Sequence, residues 1–167
     1  MLEVLPKRFA KFGLTLHPEK TRLVRFVRPR PAASRETATG EEPGTFDLLG
    51  FTHYWGRSRR GYWVVKRKTA RSRLRRAILA VTEWCRRNLH RPIAEQHRTL
   101  CQKLCGHFAY YGITGNSWSL SAFTWQVQRA WRKWLSRRSR DRPMTWALFG
   151  RLQERYPLPT PRIVHNV

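Results

Sequence analysis

The stretch from Leu104 to Trp118 places the tightest constraint on how this chain can fold. Apolar residues recur at helical spacing through residues 100–111, which predicts a helix with one face toward a core. Gly112 then breaks the pattern, and Asn116 or Ser117 is suited to cap a following helix. Two helices joined by so short a turn form an antiparallel pair, on which the rest of the chain must pack.

Two residues inside the first helix of this pair carry predictions of their own. Gly106 costs a helix interior about 1 kcal/mol relative to alanine, so we expect another backbone to pass close to it. His107 is predicted to be a hydrogen-bonded structural histidine, the alternative being a catalytic one.

Helical periodicity runs through most of the second half of the chain. It predicts four helices, over residues 69–89, 93–111, 117–138 and from 143 onward. Trp84, Trp131 and Trp134 fall on the apolar faces and are predicted to pack in the core. Three prolines predict an extended tail after residue 156.

The first half combines a short helix with β-structure. The pattern predicts a helix over residues 1–13, extended segments at 14–16 and 23–27, a flexible loop over 28–45, and strands at 46–55 and 62–66 joined by an Arg-rich loop. Gly50 inside the first strand indicates a bulge or the close approach of another backbone. The predicted fold class is therefore α+β and mainly α: a small β-hairpin followed by a helical bundle of three main helices and a short fourth.

The charge of the chain indicates its partner. Lys and Arg number 34 against 10 Asp and Glu, which gives a net charge of +24. A folded, aromatic-rich domain this basic is typical of proteins that bind a polyanion. A membrane surface is the rival polyanion, but there is no long apolar run and no strongly apolar basic amphipathic helix. The sequence therefore favours nucleic acid over a membrane.

The cations concentrate in two clusters. Ten Lys and Arg and no acid lie between Arg57 and Arg76, and a second cluster follows from Arg129 to Arg140 on the third predicted helix. Arginine makes bidentate phosphate contacts and aromatic faces stack unpaired bases, a combination suited to structured RNA with exposed loops. For Trp55, Trp63 and Trp118, periodicity leaves core packing and base stacking equally open. The candidate RNA-binding residues are Arg57, Arg59, Arg60, Lys66, Arg67, Lys68, Arg71, Arg75, Arg76, Arg129, Arg132, Lys133, Arg137 and Arg138.

The sequence lacks the residue patterns that nucleic-acid chemistry requires. Polymerases and nucleases hold two metal ions with carboxylates, whereas the two aspartates here, Asp47 and Asp141, are far apart. Cys101, Cys105 and His107 lack the spacing of a zinc site, and three cysteines without pairing predict reduced thiols. We therefore expect a protein that binds nucleic acid without catalysis and has no catalytic residue, no metal and no cofactor. The expected location is cytoplasmic and RNA-associated, as in a protein of bacterial type; an organellar location stays open.

Five short motifs resemble one protein family in their order and spacing. They are GLTLHPEKT from Gly13, FDLLGF from Phe46, GHFAYYGITGN from Gly106, WRKWLSRRS from Trp131 and YPLPTPRI from Tyr156. The first two resemble the last blocks of the reverse transcriptase domain of group II intron-encoded proteins. The other three resemble their maturase-specific domain, also called domain X or thumb.

The resemblance implies an RNA-directed DNA polymerase that also binds its own intron RNA, helps it fold for splicing and supports intron mobility. It implies a palm remnant over residues 1–67 and, over 68–167, a thumb that contacts intron RNA and template–primer. Leu49, Gly50 and Phe51 would correspond to the primer grip, and Lys20 to a lysine that assists pyrophosphate departure in related polymerases.

The sequence departs from this family where catalysis takes place. The family's Tyr-Ala-Asp-Asp block lies upstream of the Gly13 motif, so we expect the fingers and most of the palm to be missing, together with the zinc-containing endonuclease domain of some members. The leading hypothesis is a truncated maturase that binds group II intron RNA or another structured RNA without polymerising DNA. The alternative is the C-terminal half of a split RNA-directed DNA polymerase, completed by a separate fingers–palm chain. A third hypothesis is a remnant without function.

Overall fold

Helices account for most of the regular structure, which confirms the predicted fold class, α+β and mainly α. The computed structural model describes residues 4–17, 21, 23–29, 44–138 and 143–166. Their elements are α1 (Val4–Ala10), β1 (Phe46–Leu48), β2 (Phe51–Arg57), β3 (Trp63–Thr69), α2 (Arg71–Arg87), α3 (Ile93–Tyr111), α4 (Ser117–Ser136) and α5 (Trp146–Arg155). The strands form an antiparallel sheet in the order β1-β2-β3. None of these helices is long and apolar enough to cross a membrane.

The chain divides into two units. The larger unit comprises Asp47–His53 and the described part of Lys66–Val167. The smaller unit comprises Tyr54–Val65 and the described part of Met1–Phe46. The division cuts through the hairpin of β2 and β3, so that its base belongs to the larger unit and its tip to the smaller. The domain boundary expected after residue 67 stays a prediction.

The core of the larger unit lies between α2, α3 and α4. Trp131 of α4 is fully buried there, as predicted, whereas Trp84 and Trp134 are half-buried against the core. The indole Nε1 of Trp131 donates a hydrogen bond of 3.0 Å to Oε1 of Gln96, which is itself buried in α3. The amide nitrogen of Gln96 donates in turn to the carbonyls of Leu89 and Arg91. This polar bridge ties α3, α4 and the α2–α3 loop together without leaving the buried indole unpaired.

The turn between α3 and α4 is fixed by Asn116. This residue occupies the N-cap position of α4, as predicted, but its side chain makes no capping hydrogen bond. Instead, its Oδ1 accepts from the Thr69 amide at 2.9 Å, and its Nδ2 donates to Thr69 Oγ1 and to the Tyr111 carbonyl, both at 2.8 Å. Asn116 is fully buried. It therefore links the end of β3, next to the start of α2, with the end of α3.

The expected close backbone approach occurs at Gly112 and not at Gly106. Outside its own helix, no described atom lies within 4 Å of the position that a Cβ of Gly106 would take, so the prediction for Gly106 is wrong. A Cβ at Gly112 would lie only 2.8 Å from the carbonyl oxygen of Arg162. The extended tail returns here, where the amides of Val164 and His165 donate to the Gly112 carbonyl at 2.6 and 2.9 Å.

The sheet has one more strand than the predicted hairpin. Leu49 and Gly50, with φ angles of 49° and 82°, form a turn that splits the expected strand 46–55 into β1 and β2. The extended segments expected at 14–16 and 23–27 form no strand in the described part of the chain. Residues 30–43 of the expected flexible loop, together with Lys20, Arg140 and Asp141, lie outside the described residues.

Candidate nucleic-acid interface

The first two turns of α2 carry exposed positive charge that forms no ion pair with an acid among the described residues. Its exposed arginines there are Arg71, Arg73, Arg75 and Arg76. The single acid of α2 is Glu83, whose carboxylate accepts from Arg86 at 3.0 Å and from Arg87 at 2.7 Å. The hydrogen bond from Arg86 is the main cause that lowers the pKa of Glu83 below its ordinary value. The acid thus compensates cations at the C-terminal end of α2 and none at its start.

The start of α2 is electrostatically unfavourable for the isolated helix. The preceding residue, Ala70, supplies no side-chain cap, and cations lie at the positive end of the helix macrodipole. An anion bound at this end would accept hydrogen bonds from the free backbone N–H groups and would interact favourably with the helix dipole. Arg71 and Arg75 lie one turn apart on one strip, as predicted from helical spacing.

A groove of about 590 Å³ lies beside this helix and contains two of the three primer-grip-like residues. It is lined by Leu49, Gly50, Arg73, Tyr110 and Tyr111. The Tyr110 hydroxyl donates to the Leu49 carbonyl at 2.8 Å, and the Ala70 amide donates to the Gly50 carbonyl at 2.9 Å. These two bonds hold the left-handed turn in place. The third residue, Phe51, stacks on Tyr110 with ring centroids 5.9 Å apart.

Arg73 is the cation that the candidate set omits. It lines the groove, and together with Arg76 it opposes the raised pKa of Tyr111, whose main cause is burial. Tyr111 is therefore a neutral phenol at physiological pH. The signal for Arg73 was available, because it belongs to the same unbroken run of cations as its neighbours.

The helix α4 contains no acid, and two of its cations, Arg132 and Lys133, lie against aromatic rings. Arg129, Lys133, Arg137 and Arg138 are exposed, and Arg132 is half-buried. The ammonium of Lys133 lies 5.5 Å and the guanidinium of Arg137 lies 5.0 Å from the ring centroid of Trp134. Cation–π contacts of this kind position a cation and leave its charge intact.

Arg132 makes the most constrained of these contacts. Its guanidinium lies 4.3 Å from the ring centroid of Trp146, and its Nη1 donates to the Met144 carbonyl at 2.8 Å. Trp146 in turn stacks on Trp125, with centroids 5.2 Å apart and ring planes 5° from parallel. Trp125 is 49% exposed and Trp146 is 45% exposed. The sequence gives no indication that Trp125 and Trp146 pair.

The three tryptophans for which the sequence leaves core packing and base stacking equally open differ in their exposure. Trp118 on α4 is 77% exposed, with no aromatic or cationic neighbour in the part of the chain that the structure describes. Trp55 is half-buried in the smaller unit and stacks on Phe26 at 5.1 Å. Trp63 is half-buried beneath the Arg57 guanidinium, 4.7 Å from its ring centroid.

The arginines at the hairpin tip differ in the contacts that they make. Arg57 also donates to the Gly61 carbonyl at 3.1 Å, so it shapes the tip, whereas Arg59 and Arg60 are exposed on the turn. On β3, Lys68 is exposed, and Lys66 and Arg67 are half-buried.

His107 is buried in α3. Its ring stacks on Phe123 at 3.9 Å, and its Nε2 has no hydrogen-bond partner among the described residues. Burial lowers the pKa of His107 to about 4, so the ring is neutral near pH 7. Burial likewise raises the pKa of Cys85 to about 12. No group of three His, Cys, Asp or Glu side chains is placed to hold a metal ion within the residues searched, which are those described above.

No family model, curated protein or solved structure matches the chain. The assignment of RNA contacts to individual residues therefore stays a prediction, as does the resemblance itself.

Proposed function

We propose that this chain is an RNA-binding domain of the group II intron maturase type, which binds folded intron RNA and assists its folding for splicing. The observation that supports this most directly is the uncompensated positive charge on two helices of one unit. The start of α2 carries four exposed arginines and no acid, and α4, which has no acid, holds Arg132 and Lys133 against tryptophan rings.

RNA suits this surface better than a smooth anionic surface would. The guanidinium groups of Arg71 and Arg75 present planar donors to successive phosphates, and such bidentate contacts fix the register of a backbone. A phosphate near the start of α2 also relieves the unfavourable placement of cations at the positive end of the helix dipole. The exposed indoles of Trp125 and Trp146 add faces for unpaired bases, which folded RNA offers and duplex DNA does not.

The test compares the salt dependence of binding for a group II intron RNA, a duplex RNA and a duplex DNA. The logarithm of the binding constant should fall with the logarithm of salt concentration, with a slope of about −0.7 to −0.9 per neutralised phosphate. Wild-type affinity for the intron RNA should exceed that for either duplex at equal salt. A slope near zero would refute the electrostatic mechanism.

Two double variants of α2 locate the charge that matters. Arg71→Gln with Arg75→Gln should weaken binding and reduce the magnitude of the slope by about 1.5. Arg86→Gln with Arg87→Gln removes the same formal charge from the same helix, but from arginines already paired with Glu83. It should change the slope much less. Equal effects of the two variants would show that only net charge is sensed.

The groove at Leu49 and Gly50 supports a second candidate, the C-terminal half of a split RNA-directed DNA polymerase. The turn is held rigidly by Tyr110 and flanked by Arg73, an arrangement that suits contact with a primer backbone. Primer extension distinguishes the candidates. The chain alone should incorporate no nucleotide above background, and incorporation only after addition of a fingers–palm chain would favour the split enzyme.

A further inference from the structure

The stacked pair Trp125–Trp146 is a rigid aromatic surface that faces solvent. Trp146 opens α5, whose start is fixed because Thr145 Oγ1 accepts from the Leu148 amide at 3.3 Å. Trp146 also packs its ring edge against the buried Phe149, at 5.9 Å between centroids. About half of each indole nevertheless remains exposed. Such a large apolar face is held in one orientation before any partner binds.

Arg132 joins this pair to a cationic pocket. Trp125 and Arg132 lie two turns apart on α4, about 10 Å along the axis, so the Trp146 ring lies between them. Arg132 also lines a pocket of about 260 Å³, whose other lining residues are Thr82, Gln126, Arg129, Ala130 and Lys133. The Arg132 side chain therefore contacts the aromatic pair and also lines the pocket.

The chemistry of this surface selects its occupant. Three cations and two neutral polar side chains line the pocket, which suits one anionic group. Its volume is below the roughly 300–1,000 Å³ typical of pockets that enclose a whole drug-sized ligand, so the rest of the ligand must lie outside it. The neighbouring exposed face is flat and aromatic. A phosphate attached to a flat ring system, as in a nucleotide, matches both parts.

We propose that the α4–α5 surface binds an unpaired nucleotide of an RNA strand. Its base stacks on the exposed face of Trp125, and a phosphate of the same strand enters the pocket of Arg129, Arg132 and Lys133. This rests on the proposed RNA-binding function and deepens it, because it assigns unpaired nucleotides to one site while the start of α2 contacts backbone of any RNA.

The experiment measures affinity for a single-stranded RNA of about 12 nucleotides and for a blunt RNA duplex of the same length, at equal salt. Trp125→Ala should weaken binding of the single strand about 5- to 100-fold, the effect of losing one stacked base, and should change duplex binding less than about twofold. Trp118→Ala is the matched control, since it removes a more exposed indole from the same helix that has no stacked partner in the described structure. It should leave both affinities nearly unchanged.

A second measurement detects stacking on the indole directly. A single-stranded RNA that contains 2-aminopurine should lose fluorescence on binding to the wild-type chain, because stacking on an indole quenches this base, and Trp125→Phe should retain part of the effect. An unquenched probe that is fully bound would overturn the proposal. So would equal losses of single-strand and duplex affinity in Trp125→Ala, or no loss in either, while the RNA-binding function would stand. Wild-type chain that binds neither RNA would overturn both.

Discussion

Replacement of Asn116 with alanine tests whether one buried amide holds the cationic start of α2 on the rest of the larger unit. The side chain contributes three hydrogen bonds of 2.8–2.9 Å, two to Thr69 and one to the Tyr111 carbonyl. The Tyr111 carbonyl keeps a second bond, from the Ile113 amide at 2.9 Å. The Thr69 amide, in a residue that is 5% exposed, loses the acceptor that Asn116 provides.

The magnitude follows from these groups. Each hydrogen bond contributes about 1 kcal/mol net, and a buried donor left without a partner costs about 1–3 kcal/mol. Because these contributions overlap for the Thr69 amide, we expect Asn116→Ala to lower the free energy of unfolding by about 2–4 kcal/mol. In a chain of this size the midpoint of thermal unfolding should fall by roughly 10 °C.

Urea denaturation followed by circular dichroism measures this change, with Asn88→Ala as the control. Asn88 caps the other end of α2 and makes one side-chain hydrogen bond, to the Trp84 carbonyl at 2.8 Å, from a half-buried position. Its loss should cost less than about 1.5 kcal/mol. If the two variants were equally stable, the buried amide would have no special role and the reasoning would be refuted.

Two further predictions concern α3. Gly112→Ala should destabilise the protein by about 1–3 kcal/mol, because the new Cβ meets the backbone carbonyl oxygens of Phe108 and Arg162. Gly106→Ala should stabilise the protein by roughly 0.5–1 kcal/mol, because its Cβ would enter open space; urea titrations of both variants check the two signs. The pKa of His107 is about 6.5 in the unfolded chain and about 4 in the folded one. Because the unfolded chain binds more protons between these two pH values, wild-type stability should fall by about 2–3 kcal/mol as the pH is lowered through this window. His107→Phe should flatten that dependence, and a wild-type profile already flat over this range would contradict the assignment.

The helix ends show where local sequence is sufficient. The start and end predicted for α3, residues 93 and 111, are those observed, because Pro92 and Gly112 are signals for a helix start and end that are local in the sequence. The start of α5 was expected at Pro143 but lies at Trp146. There the hydroxyl of Thr145 caps the helix, and two plausible start signals so close together cannot be ranked by sequence.

Features that depend on contact between distant segments could not be predicted. Leu49 adopts a positive φ, which is uncommon for leucine, so the neighbouring Gly50 indicated a bulge but not a turn that separates two strands. Gly106 looked like a site of close approach, but only the path of the tail decides that Gly112 has that role. The cations of the candidate site could be predicted, because they form a run of charge in the sequence. The pairing of Trp125 with Trp146 could not be predicted, because periodicity shows which face of its own helix a residue occupies and not which helix faces meet.

The two cationic helices keep their side chains in place by different means, and the difference bears on how each can bind. At the end of α2, Arg86 and Arg87 are held by Glu83, and the same carboxylate that orders these side chains reduces their net positive charge. On α4, Arg132 is held by the ring of Trp146 and the Met144 carbonyl, which cancel none of its charge. A side chain ordered before binding loses less conformational entropy when it meets a phosphate. The contacts of Arg132 with Trp146 and Met144 therefore provide a preorganised cation at full charge, which an acid in the same positions could not do.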